Sequence, residues 1–389
     1  MKIAVPKERR AGERRVAVSP DVARKLKDLG FTVVVEKGAG DGASFTDAAY
    51  RDAGATIAKD GQAALKGADI VFKVQPPILD GGAAGSELAL MKKGAVLIAN
   101  LSALSNKGDV AAYAKAGVTA FALELLPRIT RAQSMDVLTS QSNLTGYKAV
   151  LDAAHELGRA FPMMMTAAGT IAPAKVFVLG AGVAGLQAIA TAKRLGAVVT
   201  AYDVRPAVRE QVESLGGKFV EVDADAVKDA ETAGGYAREM GADYKKKQDA
   251  TIHEHLKKQD IAICTALIPG KKAPVLITEA MVKDMKPGSV IVDLAVETGG
   301  NCALSVSGKV VVRHGVTIVG HANVPSRLAE DSSALYARNL LNFITPLVGE
   351  KGKPLNIDRD DEIIKGALVT IGGKVVHPDL TGKGKGKGK

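Results

Sequence analysis

The stretch 175–203, KVFVLGAGVAGLQAIATAKRLGAVVTAYD, limits what this chain can fold into more than any other. Val176 to Leu179 form a short apolar run of the kind a buried strand shows, and Gly180, Gly182 and Gly185 follow at G-x-G-x-x-G spacing. A helix with one apolar face opens at Val183, and a second apolar run ends on Asp203. In a strand, turn and helix that receive a dinucleotide, each glycine has a physical task. Gly180 allows the tight turn, Gly182 lets a pyrophosphate approach the backbone, and Gly185 lets helix and strand pack closely, with the phosphates at the positive helix N-terminus. A glycine triplet alone is a weak signal, but strand, turn, helix, second strand and acid in order make a strong one. Asp203 is placed to receive the ribose hydroxyls, and its charge repels a 2′-phosphate, which favours NAD(H). Arg205 tempers that preference, being close enough to offer a phosphate partner.

A chain of 389 residues, 47% of them hydrophobic, has the length and apolar content for two domains. No apolar run approaches the ~18 residues of a spanning helix, and the opening MKIAVPKERR lacks the apolar region of a signal peptide, so the expected location is the cytoplasm. Cys264 and Cys302 stand at no metal-ligand spacing and are expected as buried thiols in a reducing compartment, not as a disulfide framework. The net charge of +10 suggests nucleic acid, yet four of those charges are Lys383, Lys385, Lys387 and Lys389. A Gly-Lys alternation over 381–389 cannot build a core and is expected to be disordered, either a solubilising tail or one weakly attracted to an acidic membrane surface. With aromatics at 4% and no Trp there is no stacking platform, so a nucleic-acid partner is not expected.

Residues 1–174 open with their own alternation of strands and helices. Residues 2–5 read as a strand, Ser19 and Pro20 as a helix cap and first helical residue, and Gly30 as the stop. Apolar runs at 31–35, 70–74, 95–101 and 118–122, with helical segments between them, imply a parallel sheet covered on both faces. Residues 141–161 carry Leu144, Tyr147, Val150, Leu151 and Leu157 near helical spacing, a long helix able to connect two domains. In FPMMMTAAGTIAPA, Met163, Met164 and Met165 do not alternate with polar residues, and Ala167 to Gly169 can turn the segment into a hairpin. It reads equally as core packing or as an arm reaching a second subunit. Runs at 219–222, 261–265, 290–294 and 316–319 extend a second sheet. Residues 223–247, with Gly234 and Gly235 beside Tyr236, suit a lid that closes over ligand. Residues 333–348 read as helical, and the chain beyond them as short strands and turns.

At RITRAQSMDVLTSQSNLTGYKAV, residues 128–150, the sequence resembles the NAD(H)-binding alpha subunit of proton-translocating NAD(P) transhydrogenase, a superfamily shared with alanine dehydrogenase. The likeness covers nearly the whole chain, through KERRAGERRVAVSP, DGASF, ETAGGYA, TALIPG, VDLAVETGGNC and NVPSR. It implies that Arg128, Gln133 and Asp136 form a loop that holds the nicotinamide, with Ile129, Leu138 and Thr139 beside it. It likewise implies cofactor contacts at Val183 in the glycine turn, Asp203, Val204 and Arg205 at the ribose, Gly235 and Tyr236 in the lid, Gln248 after it, and Ala266 and Leu267 after a strand. Members of the family commonly have Ser where this chain has Thr139. On the chemistry alone, an amide and a carboxylate can fix a carboxamide for hydride transfer, whereas Arg128 cannot act as acid or base. Without the resemblance, the same three residues would read as a solvated polar loop.

Alanine dehydrogenase resembles this chain at Arg15 and Lys73, which match a substrate-carboxylate clamp and a catalytic lysine; its catalytic His should follow Leu101, where Ser102 stands. Serine cannot take over a histidine's acid-base work near neutral pH. His253 and His255, two apart, point to different sides of a helix, and no metal site, zinc motif or Ser-His-Asp set is expected.

The expected architecture is therefore α/β: two doubly wound, Rossmann-like domains with parallel sheets and a cleft between them for NAD(H). The first takes residues 1–138 with 325–380, the second 139–324. The resemblance further implies a homodimer, an NADP(H)-binding partner component, a membrane-spanning proton-channel component, and a peripheral place on the cytoplasmic face of the inner membrane. The alternative is an NAD-dependent amino-acid dehydrogenase.

Overall fold

The computed structural model describes residues 1–80, 85–222, 241–268, 270–349 and 354–382. The chain divides into two compact units, one of Met1–Gln141 with the segment from Ser326 onward, the other of Ser142–Pro325.

The first unit opens with β1 (Lys2–Val5), α1 (Pro20–Asp28), β2 (Thr32–Glu36), α2 (Asp47–Asp52), β3 (Thr56–Ala58), α3 (Gly61–Leu65), β4 (Ile70–Phe72), β5 (Val96–Ala99), α4 (Lys107–Lys115) and β6 (Thr119–Ala122). Ser19 caps α1 by accepting a hydrogen bond from the Val22 amide, and Pro20 occupies the first turn, where its missing N–H costs nothing. The strands lie in the order β3-β2-β1-β4-β5-β6, all parallel. Successive residues feed two cores: Ile3, Val5, Ile70, Phe72, Ile98 and Phe121 one face, Ala4, Val71, Leu97 and Ala120 the other. Strands covered on both faces have no polar side, which explains their uninterrupted apolar runs.

Next in the chain is α5 (Val137–Glu156). Its observed bounds differ from the expected 141–161 because Asp136 caps the start, its Oδ1 accepting from Thr139 N at 2.9 Å, and because Leu157 and Phe161 are buried outside the helix. The second unit continues with β7 (Met164–Thr166), β8 (Gly169–Ile171), β9 (Lys175–Leu179), α6 (Val183–Arg194), β10 (Val198–Tyr202), α7 (Arg209–Ser214), β11 (Lys218–Val220), α8 (Ala242–Leu256), β12 (Ile261–Cys264), α9 (Glu279–Lys283), β13 (Val290–Asp293), β14 (Lys309–Arg313) and β15 (Val316–Gly320). The sheet order is β11-β10-β9-β12-β13-β15-β14, parallel except for β14. Val176, Val178, Ile261 and Ile263 face one core, Phe177, Leu179, Ala262 and Cys264 the other. The antiparallel edge strand β14 was not legible in the sequence. It joins β15 through His314 and Gly315, both at positive φ, the backbone of a two-residue hairpin turn without the usual Asn-Gly signal.

The hairpin β7–β8 pairs only with itself, and Met163, Met164, Met165 and Ile171 are exposed, Met165 at 78%. The core-packing reading of these methionines is therefore wrong. Cys264 and Cys302 are buried free thiols whose pKa values burial pushes up.

The chain returns to the first unit with α10 (Ala329–Ile344), α11 (Glu362–Ala367), β16 (Leu368–Ile371) and β17 (Lys374–Val375). β16 extends the first sheet antiparallel to β6, a departure from the purely parallel sheet expected there. Tyr336, Ala337, Leu340, Phe343 and Ile344 of α10 enter the core, Phe343 edge-on to Phe121 at 5.3 Å.

Candidate dinucleotide site

In the second unit the strand order reverses between β9 and β12. Ligands of open α/β sheets bind outside the carboxyl ends of the strands at such a reversal. Those ends carry Gly180, Gly182 and Val183 after β9, Asp203, Val204 and Arg205 after β10, and Ala266 and Leu267 after β12.

The three glycines act differently. Gly180 has φ +101°, and a Cβ there would stand 2.6 Å from Thr265 Oγ1. Gly185 lets α6 press on the turn, since its Cβ would lie 1.9 Å from the Gly180 carbonyl oxygen. Gly182 has an ordinary φ of −77°, and a Cβ there would meet nothing within 4 Å. The space before it is open, and as N-cap of α6 it leaves the first-turn N–H groups to an acceptor from outside, the arrangement that suits a phosphate.

Asp203 is tied back to this turn. Its Oδ2 accepts the Ala181 N–H at 2.8 Å, while Arg205 donates Nε to Oδ1 at 2.9 Å, Nη2 to Oδ2 at 2.8 Å and its backbone N–H to Oδ1 at 2.9 Å. Gln248 lies buried on α8, where its side chain hydrogen-bonds the Tyr202 hydroxyl, itself 3.0 Å from that of Tyr244. Val204 packs against Tyr244, and Leu267 is 45% exposed. Gly235 and Tyr236, with the lid expected around them, lie outside the described residues, as does the Gly-Lys tail from 383.

The sequence reading missed three residues that build this site. Thr265 Oγ1 donates to the Gly180 carbonyl at 2.9 Å, Asn301 hydrogen-bonds the backbone of Ala266, and Gly146 of α5 lets that helix cross α6, since a Cβ there would lie 2.0 Å from the Ala184 carbonyl. Only Asn301 carried a signal, as the residue after Gly299 and Gly300 in VDLAVETGGNC.

In the first unit, Thr130–Met135 form a 3-10 turn after Ile129. Asn339 and Asn342 of α10 each donate Nδ2 to the Ser134 carbonyl at 2.9 Å, and Arg131 grips Asp361 through Nη1 at 2.7 Å and Nη2 at 2.9 Å. Arg128 and Gln133 are exposed on this anchored turn. Asp136 receives Thr139 Oγ1 on Oδ2 at 2.6 Å, besides the Thr139 amide on Oδ1, and Leu138 is half-buried in the first turn of α5. Sequence reasoning paired Asp136 with Arg128 or a carboxamide; the structure adds its role as helix cap.

A family model described as alanine dehydrogenase/PNT, N-terminal domain, matches residues 4–145, and one described as alanine dehydrogenase/PNT, C-terminal domain, matches residues 149–378. The chain belongs to the alanine dehydrogenase/PNT family. It is 63% identical over 384 residues to the first of the two-piece naming of NAD(P) transhydrogenase subunit alpha in Rhodospirillum rubrum, covering 99% of this chain and 100% of that one. Alanine dehydrogenase of Halomonas elongata is 32% identical, over 96% of this chain and 94% of that one. Among solved structures, transhydrogenase from Sinorhizobium meliloti superposes with a TM-score of 0.86 at 50% identity, covering 97% of this chain and 100% of that one. Within the alanine dehydrogenase/PNT family the chain thus stands nearer the transhydrogenase alpha subunits than the alanine dehydrogenases.

The residues shared with the dehydrogenase branch of this family are buried among carboxylates. Lys73 Nζ lies 3.1 Å from Glu8 Oε2 and 3.2 Å from Glu87 Oε2. Arg15 clasps Glu13 through Nε at 2.9 Å and Nη2 at 2.7 Å, and its Nη1 donates to Gln141 Oε1 at 2.8 Å. Burial alone would raise the Glu13 carboxyl, but Arg15 and Gln75 hold it down at about 2. Ser102 sits at φ +49°, between two amides, Leu101 and Ala103, that donate to Glu124.

Proposed function

We propose that this chain is the NAD(H)-binding component of a proton-translocating NAD(P) transhydrogenase, presenting NADH to an NADP(H)-binding partner component while a membrane-spanning component couples the exchange to proton movement. The observation that carries this reading is the closed fingerprint. The acid after β10 is hydrogen-bonded to the glycine turn after β9, in a chain whose near relatives over their full length are transhydrogenase alpha subunits. Among the described residues no helix is long and apolar enough to cross a membrane, in keeping with a peripheral place on the cytoplasmic face through its partners.

When bound, the dihydronicotinamide supplies the hydride, which NADP+ on the partner accepts. The part of this chain is orientation. The open space at Gly182 and the N-terminus of α6 take the pyrophosphate, Asp203 the ribose, and the turn bearing Arg128, Gln133 and Asp136 the nicotinamide carboxamide. Holding two reactants in a near-attack geometry lowers a barrier by several kcal/mol, on the order of 7 at best. Ser102 in place of a histidine, and the internal carboxylates on Arg15 and Lys73, disfavour an amino-acid dehydrogenase.

A second copy of the chain is the proposed partner of the β7–β8 hairpin, because three exposed methionines and Ile171 form an apolar patch on an arm that packs on no core.

The test is reconstitution with an NADP(H)-binding transhydrogenase component, with alanine plus NAD assayed beside it. Hydride exchange with the component, and none with alanine, is expected; the reverse overturns the reading. Gln133→Asn should slow single-turnover exchange by about 100-fold or more while NADH titrates nearly as before, because the ADP half supplies most of the contacts. Weakened binding with an unchanged first-turnover rate would make Gln133 a binding residue only.

A further inference from the structure

We propose that Asn301 is a positioning residue for NAD(H) binding: its side-chain amide, set by the buried carboxylate of Asp293, holds Ala266 and Leu267 in the conformation the dinucleotide meets. The proposal rests on the NAD(H) reading of the second unit and names a device within it.

The ladder between β12 and β13 ends at the pair Cys264 and Asp293. Beyond it the backbone of β12 loses its strand partner, and a buried N–H or C=O without a partner is costly. Asn301 takes the strand's place. Its Oδ1 accepts the Ala266 N–H at 3.0 Å, and its Nδ2 donates to the Ala266 carbonyl at 2.9 Å and to the Pro274 carbonyl at 2.8 Å. A primary amide that engages the N–H and C=O of one residue reproduces what a neighbouring peptide would offer. The Asn301 side chain is wholly buried, and its own carbonyl accepts the amides of Leu276 at 2.8 Å and Ile277 at 2.9 Å.

Asp293 keeps this amide in place. It too is wholly buried, and four donors converge on it: Ala295 N at 3.0 Å and Asn301 N at 3.1 Å on Oδ1, Cys302 N at 3.0 Å and Ser305 Oγ at 2.6 Å on Oδ2. The carboxylate thus holds the backbone on both sides of Asn301. Gly300, at φ +81°, makes room for it, since a Cβ there would stand 2.9 Å from Asp293 Oδ2.

The braced segment borders the glycine turn. The Thr265 hydroxyl binds the Gly180 carbonyl, and the Ala266 nitrogen lies 3.1 Å from where a Gly180 Cβ would be. A shift of Ala266 therefore changes the space at the fingerprint, and a segment ordered before ligand arrives does not have to be ordered by it.

Three measurements on the full chain decide the matter. NADH titration of the unaltered protein comes first: absence of binding would sink the NAD(H) reading itself. Amide hydrogen exchange without nucleotide comes second and needs no variant. The Ala266 amide should be protected by at least about 100-fold, and free exchange there overturns the brace. Third, Asn301→Asp keeps size and shape but sets an acceptor against the carbonyls of Ala266 and Pro274. With the partner component, KM for NADH should rise at least about tenfold while kcat at saturating NADH stays within about threefold. Unchanged KM, or a loss confined to kcat, overturns the proposal; if the variant does not fold, the exchange measurement on the unaltered chain still decides it.

Discussion

Arg205 lies across the carboxylate of Asp203, Nε 2.9 Å from Oδ1 and Nη2 2.8 Å from Oδ2, with the two side chains only 14% and 6% exposed. The acid of the fingerprint is thus covered by the cation two residues on. Ribose hydroxyls reach Asp203 by replacing some of these donors, and while the pair holds, Arg205 is not available to a 2′-phosphate. Asp203→Asn removes the charge that keeps Arg205 at home and repels phosphate. The ratio of NADPH to NADH dissociation constants should then narrow by about tenfold or more, read by titrating both nucleotides. An unchanged ratio would show that selectivity lies elsewhere.

Two glycine substitutions should separate binding from folding. Gly182→Ala places a methyl in open space at a permitted φ, so its thermal midpoint should stay within about 2 °C of the parent. NADH affinity should nevertheless fall at least about tenfold, because the methyl stands where the pyrophosphate approaches the backbone. Gly185→Ala drives a Cβ to 1.9 Å from the Gly180 carbonyl oxygen and should cost about 1–3 kcal/mol in a denaturant melt. Equal behaviour of the two variants would contradict the division of labour described for the turn.

Met164→Lys puts a charge on the exposed hairpin, 45% accessible at that residue, and leaves the core untouched. Sedimentation should show the parent as a dimer and the variant as a monomer with the same far-UV spectrum. A monomeric parent would remove the second copy as the partner of this arm.

The Glu13 carboxyl titrates at about 2 in the folded protein, against 4.5 for an ordinary glutamate. The depressed value means that the ion pair with Arg15 stabilises fully above about pH 4.5 and that this contribution drains as pH falls from there towards 2, by about 3 kcal/mol in all. Glu13→Gln should be less stable at pH 7 and lose less stability than the parent between pH 5 and pH 3, measured by urea melts at each pH. Parallel pH profiles would mean that the pair is not coupled to folding.

Much of this molecule was written in local patterns. The fingerprint, the alternation of strands and helices, the N-cap at Ser19 and the interior place of both cysteines depend on spacing and on residue chemistry within a few positions, and short-range patterns survive in a linear text. Strands buried on both faces announce themselves as apolar runs, which is why β1, β4, β9, β12 and β13 were visible. The edge strand β14 was not, because Val310 and Val312 face solvent and its turn uses His314.

Residue order alone thus settled the class of fold and the chemistry of the cofactor turn. The partners of each polar group were settled by packing in three dimensions, since a carboxylate or amide has the same composition whatever it meets. Packing set Arg205 on Asp203, Thr139 on Asp136, carboxylates on Arg15 and Lys73, and Asn301 on Ala266, 35 residues away in the chain. It also left the methionine arm exposed where local pattern allowed either outcome. Hydrogen bonds between distant residues form only where packing brings donor and acceptor within about 3 Å, and no periodicity in the sequence encodes that meeting.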